Sequence, residues 1–144
     1  MDMKEYDDLS SALRKAGLIE DFKLVDAKKL QVLRTRYPGI PEDYLEFLAE
    51  IGWGAFGDSY FAVYSGPIKA ESIYDPVTAG RFKTLLMIGD DFSGCNAAFD
   101  TMRSWAIVEI NSANMEVELI AKTFDTFIRS KASDLIQIKL EDTE

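Results

Sequence analysis

Residues 41–57 read PEDYLEFLAEIGWGAFG, and along this stretch and beyond it the hydrophobic period changes. Tyr44, Phe47, Leu48 and Ile51 fall at i, i+3, i+4 and i+7, one face of an α-helix, and leave Glu46 and Glu50 for water. Pro41 suits the first helical position, and Glu42 and Asp43 suit the positive end of the helix dipole. Gly52 ends the helix. Past it the pattern is that of strands: Tyr60–Ser65, Thr84–Ile88, Cys95–Phe99, Trp105–Ile110 and Met115–Ile120 are short and rich in aromatic or aliphatic residues. Turn residues separate them at Gly66-Pro67, Asp75-Pro76, Gly89-Asp90-Asp91, Ser93-Gly94 and Asn111–Asn114. Loops this short join antiparallel neighbours, because a parallel crossover needs a dozen residues or more. Ile68 to Tyr74 reads as a further strand. In the last strand Met115, Val117 and Leu119 point one way and Glu116 and Glu118 the other, which predicts one wet face.

On the N-terminal side, Asp2 and Glu5 have the spacing of a capping box. Tyr6, Leu9 and Leu13 then share a helix face, Arg14 and Lys15 sit in the last turn, and Gly17 can end the helix. A second helix starts at Asp26, turns Leu30, Leu33 and Tyr37 inward, and stops at Pro38, since the residue before a proline avoids the α region. On the C-terminal side, Thr123 caps a helix carrying Phe124, Phe127, Ile128 and Leu135. The alternating Ile136, Ile138 and Leu140 continue that helix or form a short closing strand. No internal repeat and no linker divides the chain. The expectation is a single α+β domain over residues 1–144, a mainly antiparallel sheet of five or six strands packed with N-terminal helices and a C-terminal helix around a shared core.

A chain of 144 residues, 47% apolar, has enough material for a core without disulfides or metal. There are 25 acidic side chains against 16 basic ones, for a formal charge of −9. That balance argues against direct nucleic-acid binding, which rests on Lys and Arg displacing counterions, and favours a basic partner. With no histidine, Ser-His-Asp and Cys-His catalysis and imidazole metal sites are excluded; the single Cys95 excludes an internal disulfide and a four-cysteine zinc site. The first residues carry no apolar run behind a basic region, and no run approaches 18 apolar residues, so a cytoplasmic location away from membranes is expected.

Three stretches invite a chemical reading. Gly52-Trp53-Gly54-Ala55-Phe56-Gly57 is literally G-x-G-x-x-G, but it follows a helix and leads into a strand, the reverse of the dinucleotide-binding context. A helix cap followed by a tight loop explains it better. Asp90-Asp91-Phe92-Ser93-Gly94 lacks the alternating ligands and final Glu of a calcium loop and reads as a turn. Cys95, with no histidine or metal-ligand partner, reads as a small core residue. No residue set here demands catalysis, a metal or a cofactor, and the chain is expected not to be an enzyme.

The order of segments resembles a known superfamily. Pro41-Glu42-Asp43-Tyr44, Phe47-Leu48 and then Ile51-Gly52-Trp53-Gly54 are similar to the P-x-D-Y-x-x-F-L-x-x-x-G opening of the SUKH superfamily, although the usual Asn-Gly ending is Ile51-Gly52 here. Ile88-Gly89-Asp90-Asp91-Phe92-Ser93-Gly94, Phe99-Asp100, the Trp105 strand and the helix opening Thr123–Ile128 follow in the expected order. The similarity spans approximately residues 25–130. That superfamily includes fungal cell-wall assembly regulators and bacterial immunity proteins of polymorphic toxin systems. The resemblance therefore implies a protein-binding domain that neutralises a cognate toxin, often a nuclease or other nucleic-acid-active enzyme, by stoichiometric binding. A regulatory or scaffold module for endogenous proteins is the alternative. The partner surface is expected at the loop after the third helix and at the turn between the later strands, where aromatics (Trp53, Phe56, Phe92) lie beside acids (Asp58, Asp90, Asp91).

Overall fold

The computed structural model describes residues 5–57 and 60–142. Three helices come first: α1 (Asp7–Lys15), α2 (Ala27–Arg36) and α3 (Glu42–Glu50). Asp26 caps α2, its carboxylate accepting from the Lys29 N–H at 2.8 Å. Tyr6 occupies the capping position of α1 without a side-chain cap; of the expected capping box, Asp2 lies outside the described residues. Pro41 stands just before α3 rather than within it.

Six strands follow: β1 (Gly54–Phe56), β2 (Phe61–Lys69), β3 (Leu85–Asp90), β4 (Asn96–Asp100), β5 (Ala106–Ile110) and β6 (Val117–Ala121). They pair antiparallel in the order in which the chain makes them. Between β2 and β3 lie a single 3-10 turn (Ala70–Ser72) and the short helix α4 (Pro76–Arg81); α5 (Phe124–Asp142) closes the chain. The architecture is α+β, with an antiparallel sheet, N-terminal helices and a C-terminal helix.

Several boundaries differ from the sequence-based expectation. Gly66-Pro67 is no turn: β2 runs through it, and the β2–β3 register shifts between Val63 and Ile68. Proline has no N–H to give a ladder, so an irregularity is where a strand can carry one. Ile68 and Lys69 finish β2 instead of opening another strand, and the chain then winds into the 3-10 turn. Asp75-Pro76 is a helix start: Asp75 accepts from the Thr78 N–H at 2.9 Å, and Pro76 takes the first helical position. Residues 136–140 continue α5. In β6 both faces are wet, because the strand lies at the sheet edge and Val117, Leu119 and Ile120 are all exposed.

Apolar packing lies on both faces of the sheet rather than in one shared core. The larger cluster joins α1, α2, α3 and α5 to residues such as Phe61, Phe99 and Ile107. Inside it the rings of Tyr44, Phe47, Phe99 and Phe124 meet edge to face at 5.1–5.3 Å between centroids. The smaller cluster sits under α4 on the other face, with Ala70, Ala79 and Phe82 against Met87, Ala98 and Val108. Both clusters share one sheet, so β4 is buried along its whole length.

Candidate functional site

The strand register decides which loops meet. Ala55 lies opposite Ala62, Ala62 opposite Asp90, and Asp90 opposite Asn96. The C-terminal ends of β1 and β3 therefore lie at the same end of the sheet, two strand spacings apart. The turn after Asp90 shares that end with the β1–β2 connection, which contains Asp58; Asp58 itself lies outside the described residues. The β5–β6 turn joins them: Ser112 donates from its hydroxyl to the Ser93 carbonyl at 3.2 Å.

Asp90 and Asp91 build this turn. Asp90 Oδ1 accepts from the Phe92 N–H at 2.9 Å, and Oδ2 accepts from the Tyr64 hydroxyl at 2.6 Å. Asp91 Oδ1 accepts from the Ser93 N–H and hydroxyl, each at 2.9 Å, and from the Cys95 N–H at 3.1 Å. Partial burial alone would raise the Asp91 pKa, but the bonds from Ser93 and Cys95 outweigh it and hold the carboxyl below its ordinary 3.8. A depressed acid contributes stability that is present above the ordinary value and is lost as pH falls through the folded one. Wild type should therefore melt higher than Asp91→Asn at neutral pH, with the gap narrowing below about pH 4. A gap that does not change with pH would show that the carboxylate charge is not what ties the turn.

Phe92 sits at the tip with φ of +66° and its side chain 51% exposed. A left-handed backbone at a bulky non-glycine residue costs on the order of 1–2 kcal/mol, and an exposed ring recovers none of it through burial. The two aspartates hold it there. Beneath them Asn96, only 4% exposed, donates from Nδ2 to the Tyr64 oxygen at 2.9 Å and to the Gly89 carbonyl at 3.2 Å, and accepts from the Tyr74 hydroxyl at 2.8 Å.

The other expected anchors do not reach this surface. Phe56 is a correction: it is fully buried, packed against Phe22 at 4.8 Å between centroids and inside the main cluster, so it offers no ring to a partner. Trp53 is half-buried, at the other end of β1. Its backbone exchanges hydrogen bonds with Lys23, and the Lys23 ammonium lies 5.7 Å from its ring centre. Cys95 is not a core residue; half-buried, it places Sγ 3.5 Å from the Ser112 hydroxyl. The G-x-G-x-x-G segment cradles its own chain: a Cβ at Gly52 would lie 2.2 Å from the Lys23 carbonyl oxygen.

Charge is segregated over the surface. α2 carries Lys28, Lys29, Arg34 and Arg36 and no acid, and Arg34 is paired in two-pronged fashion with Glu42. Around Glu46 the sign reverses. Its carboxyl is pushed upward by its own desolvation and then by the charges of Glu5, Glu50, Glu42 and Asp43. Sequence reasoning missed this patch, because helix periodicity shows that Glu46 faces water but not that Glu5 folds back beside it. It also missed Tyr64 and Asn96; the one signal was an Asn opening a strand whose next three residues are apolar.

Among the described residues no group of three or more Cys, Asp and Glu side chains could hold a metal ion. No described helix is long and apolar enough to cross a membrane. Compared with known protein families, curated proteins and solved structures, the chain matches none of them.

Proposed function

We propose that this chain is a non-catalytic binding domain, an immunity protein that neutralises a basic, nucleic-acid-active bacterial toxin by one-to-one binding. The observation that carries the reading is Phe92: an exposed ring held in a strained backbone by two aspartates whose hydrogen bonds leave it little freedom. Strain without burial points to a role outside the folding of the chain itself, and a pre-set aromatic tip loses little entropy on docking. The net charge of −9 and the mutual repulsion around Glu46 support a cationic partner, since positive charge brought near those carboxylates relieves it. The SUKH-like order of motifs supports the immunity role. Both the toxin's identity and the cytoplasmic setting belong to this proposal.

The test requires a candidate toxin, sought in the gene adjacent to the one for this chain. Binding should be one to one, and higher salt should slow association more than it changes dissociation. Because Asp90 and Asp91 are spent on the turn, reversing their charge would damage the fold locally, and Phe92 is the cleaner probe. Phe92→Ala should keep the melting temperature and weaken toxin binding by about 2 kcal/mol or more. Full affinity in Phe92→Ala removes the turn from the interface. A toxin that neither binds nor is inhibited overturns the immunity reading.

A further inference from the structure

At the opposite end of the sheet, away from the Phe92 turn, an open cleft of about 670 Å³ lies beside α4, between it and the facing ends of β2 and β3. That lies within the roughly 300–1,000 Å³ of small-ligand sites. Part of its lining is apolar: Leu85, Leu86 and Ala79 are all buried residues that border it. Its rim carries Lys69, Lys83 and Glu71. Lys69 lies opposite Leu86 in the β2–β3 ladder, so the two ends of the connection, each with its lysine, come back together. Neither ammonium has an ion-pair partner among the described residues. In a chain of charge −9, this mouth has a local excess of positive charge.

A second, independent feature is Gly80. Glycine inside a helix costs roughly 0.5–1 kcal/mol relative to alanine and is kept where the backbone takes an unusual φ or something approaches it closely. Gly80 has no positive φ, and a Cβ built there meets nothing within 4 Å. It lines the cleft. The protein's own packing therefore gives no reason for glycine here, whereas a ligand lying against the helix backbone does. The wall beside it is fixed. Tyr74 is held by its hydroxyl bond to Asn96 and by an edge-to-face contact with Phe82 at 5.4 Å.

We propose that the cleft beside α4 binds a small amphipathic anion, an aliphatic carboxylate whose chain lies along Gly80, Ala79, Leu85 and Leu86 and whose headgroup meets Lys69 and Lys83. The site is separate from the toxin-binding reading and does not depend on it.

Titrating the full chain with octanoate, followed by amide chemical shifts, tests this. Shifts should cluster in residues 69–86, and octan-1-ol and octylamine should bind at least about tenfold more weakly. Gly80→Leu, which projects into open space, should keep the fold and raise the octanoate dissociation constant about tenfold or more. The double variant Lys69→Gln/Lys83→Gln should weaken octanoate about tenfold and leave octanol unchanged. The proposal is overturned if shifts fail to appear in that segment, if octylamine or octanol matches octanoate, or if folded Gly80→Leu binds as wild type does. Because the assay contains no toxin, none of these results bears on the immunity role.

Discussion

Gly52→Ala should cost more than about 4 kcal/mol and leave little folded protein at 37 °C. Gly52 has φ of +103°, which L-residues rarely adopt, and its missing Cβ is what lets the chain around Lys23 approach. An added methyl would sit 2.2 Å from the Lys23 carbonyl oxygen, 2.6 Å from its carbonyl carbon and 3.1 Å from the Leu24 nitrogen. All three are backbone atoms, so no side chain can rotate out of the way. Moving them would break the paired bonds between Lys23 and Trp53, at 3.0 Å and 2.9 Å, that seat the segment before α2 against β1. Domains of this size have only about 5–15 kcal/mol to lose. Urea unfolding of Gly52→Ala measures the loss; a midpoint equal to wild type would mean that this close approach does not exist in solution.

Phe47→Ala should cost about 3–5 kcal/mol, the range for emptying a buried phenylalanine site. For a chain of this length that lowers the melting temperature by roughly 10–15 °C. Phe47 is fully buried on α3, its ring edge to face with Tyr6 at 5.5 Å and with Phe124 at 5.3 Å. It thus ties α3 to the entry of α1 and to the start of α5. The neighbours are large rings held by other rings, so the void cannot close by small shifts. A loss below about 1 kcal/mol would show that the three helices do not share this contact.

Periodicity revealed most of the fold where one element has one dry face. Tyr44, Phe47 and Leu48 on α3 are such a case; β3 to β5, buried on both faces, showed instead as continuous apolar runs. It failed from Gly66 to Pro76 because glycine and proline carry the same local signal in a turn, in an irregular strand and at a helix start; only the β2–β3 ladder decides among them. The three-residue β1 is too short to show a period at all. In the candidate site, Phe56 and Phe92 look alike in sequence, each an aromatic beside glycine and acid. What separates them is tertiary: β1 turns Phe56 toward Phe22 and the helices, whereas the turn tied by Asp90 and Asp91 leaves Phe92 exposed. The charge cluster at Glu46 and the cleft beside α4 depend on contacts distant along the chain and leave no local trace.

The match between strand order and chain order has a consequence for biosynthesis. Each strand pairs with the one made just before it, so, apart from β2–β3 with α4 between its strands, the ladders close over short spans and little loop entropy opposes them. The bonds that join α5 to the segment around α1 are of another kind. Arg129 on α5 reaches Asp8 at 3.0 Å, across 121 positions of chain, and the Glu5 carbonyl at 3.0 Å. On a ribosome the meander can zip strand by strand, while the surface awaiting Phe124, Phe127 and Ile128 stays uncovered until α5 emerges. The growing chain is thus most vulnerable to aggregation and to chaperone capture just before synthesis of α5 is complete.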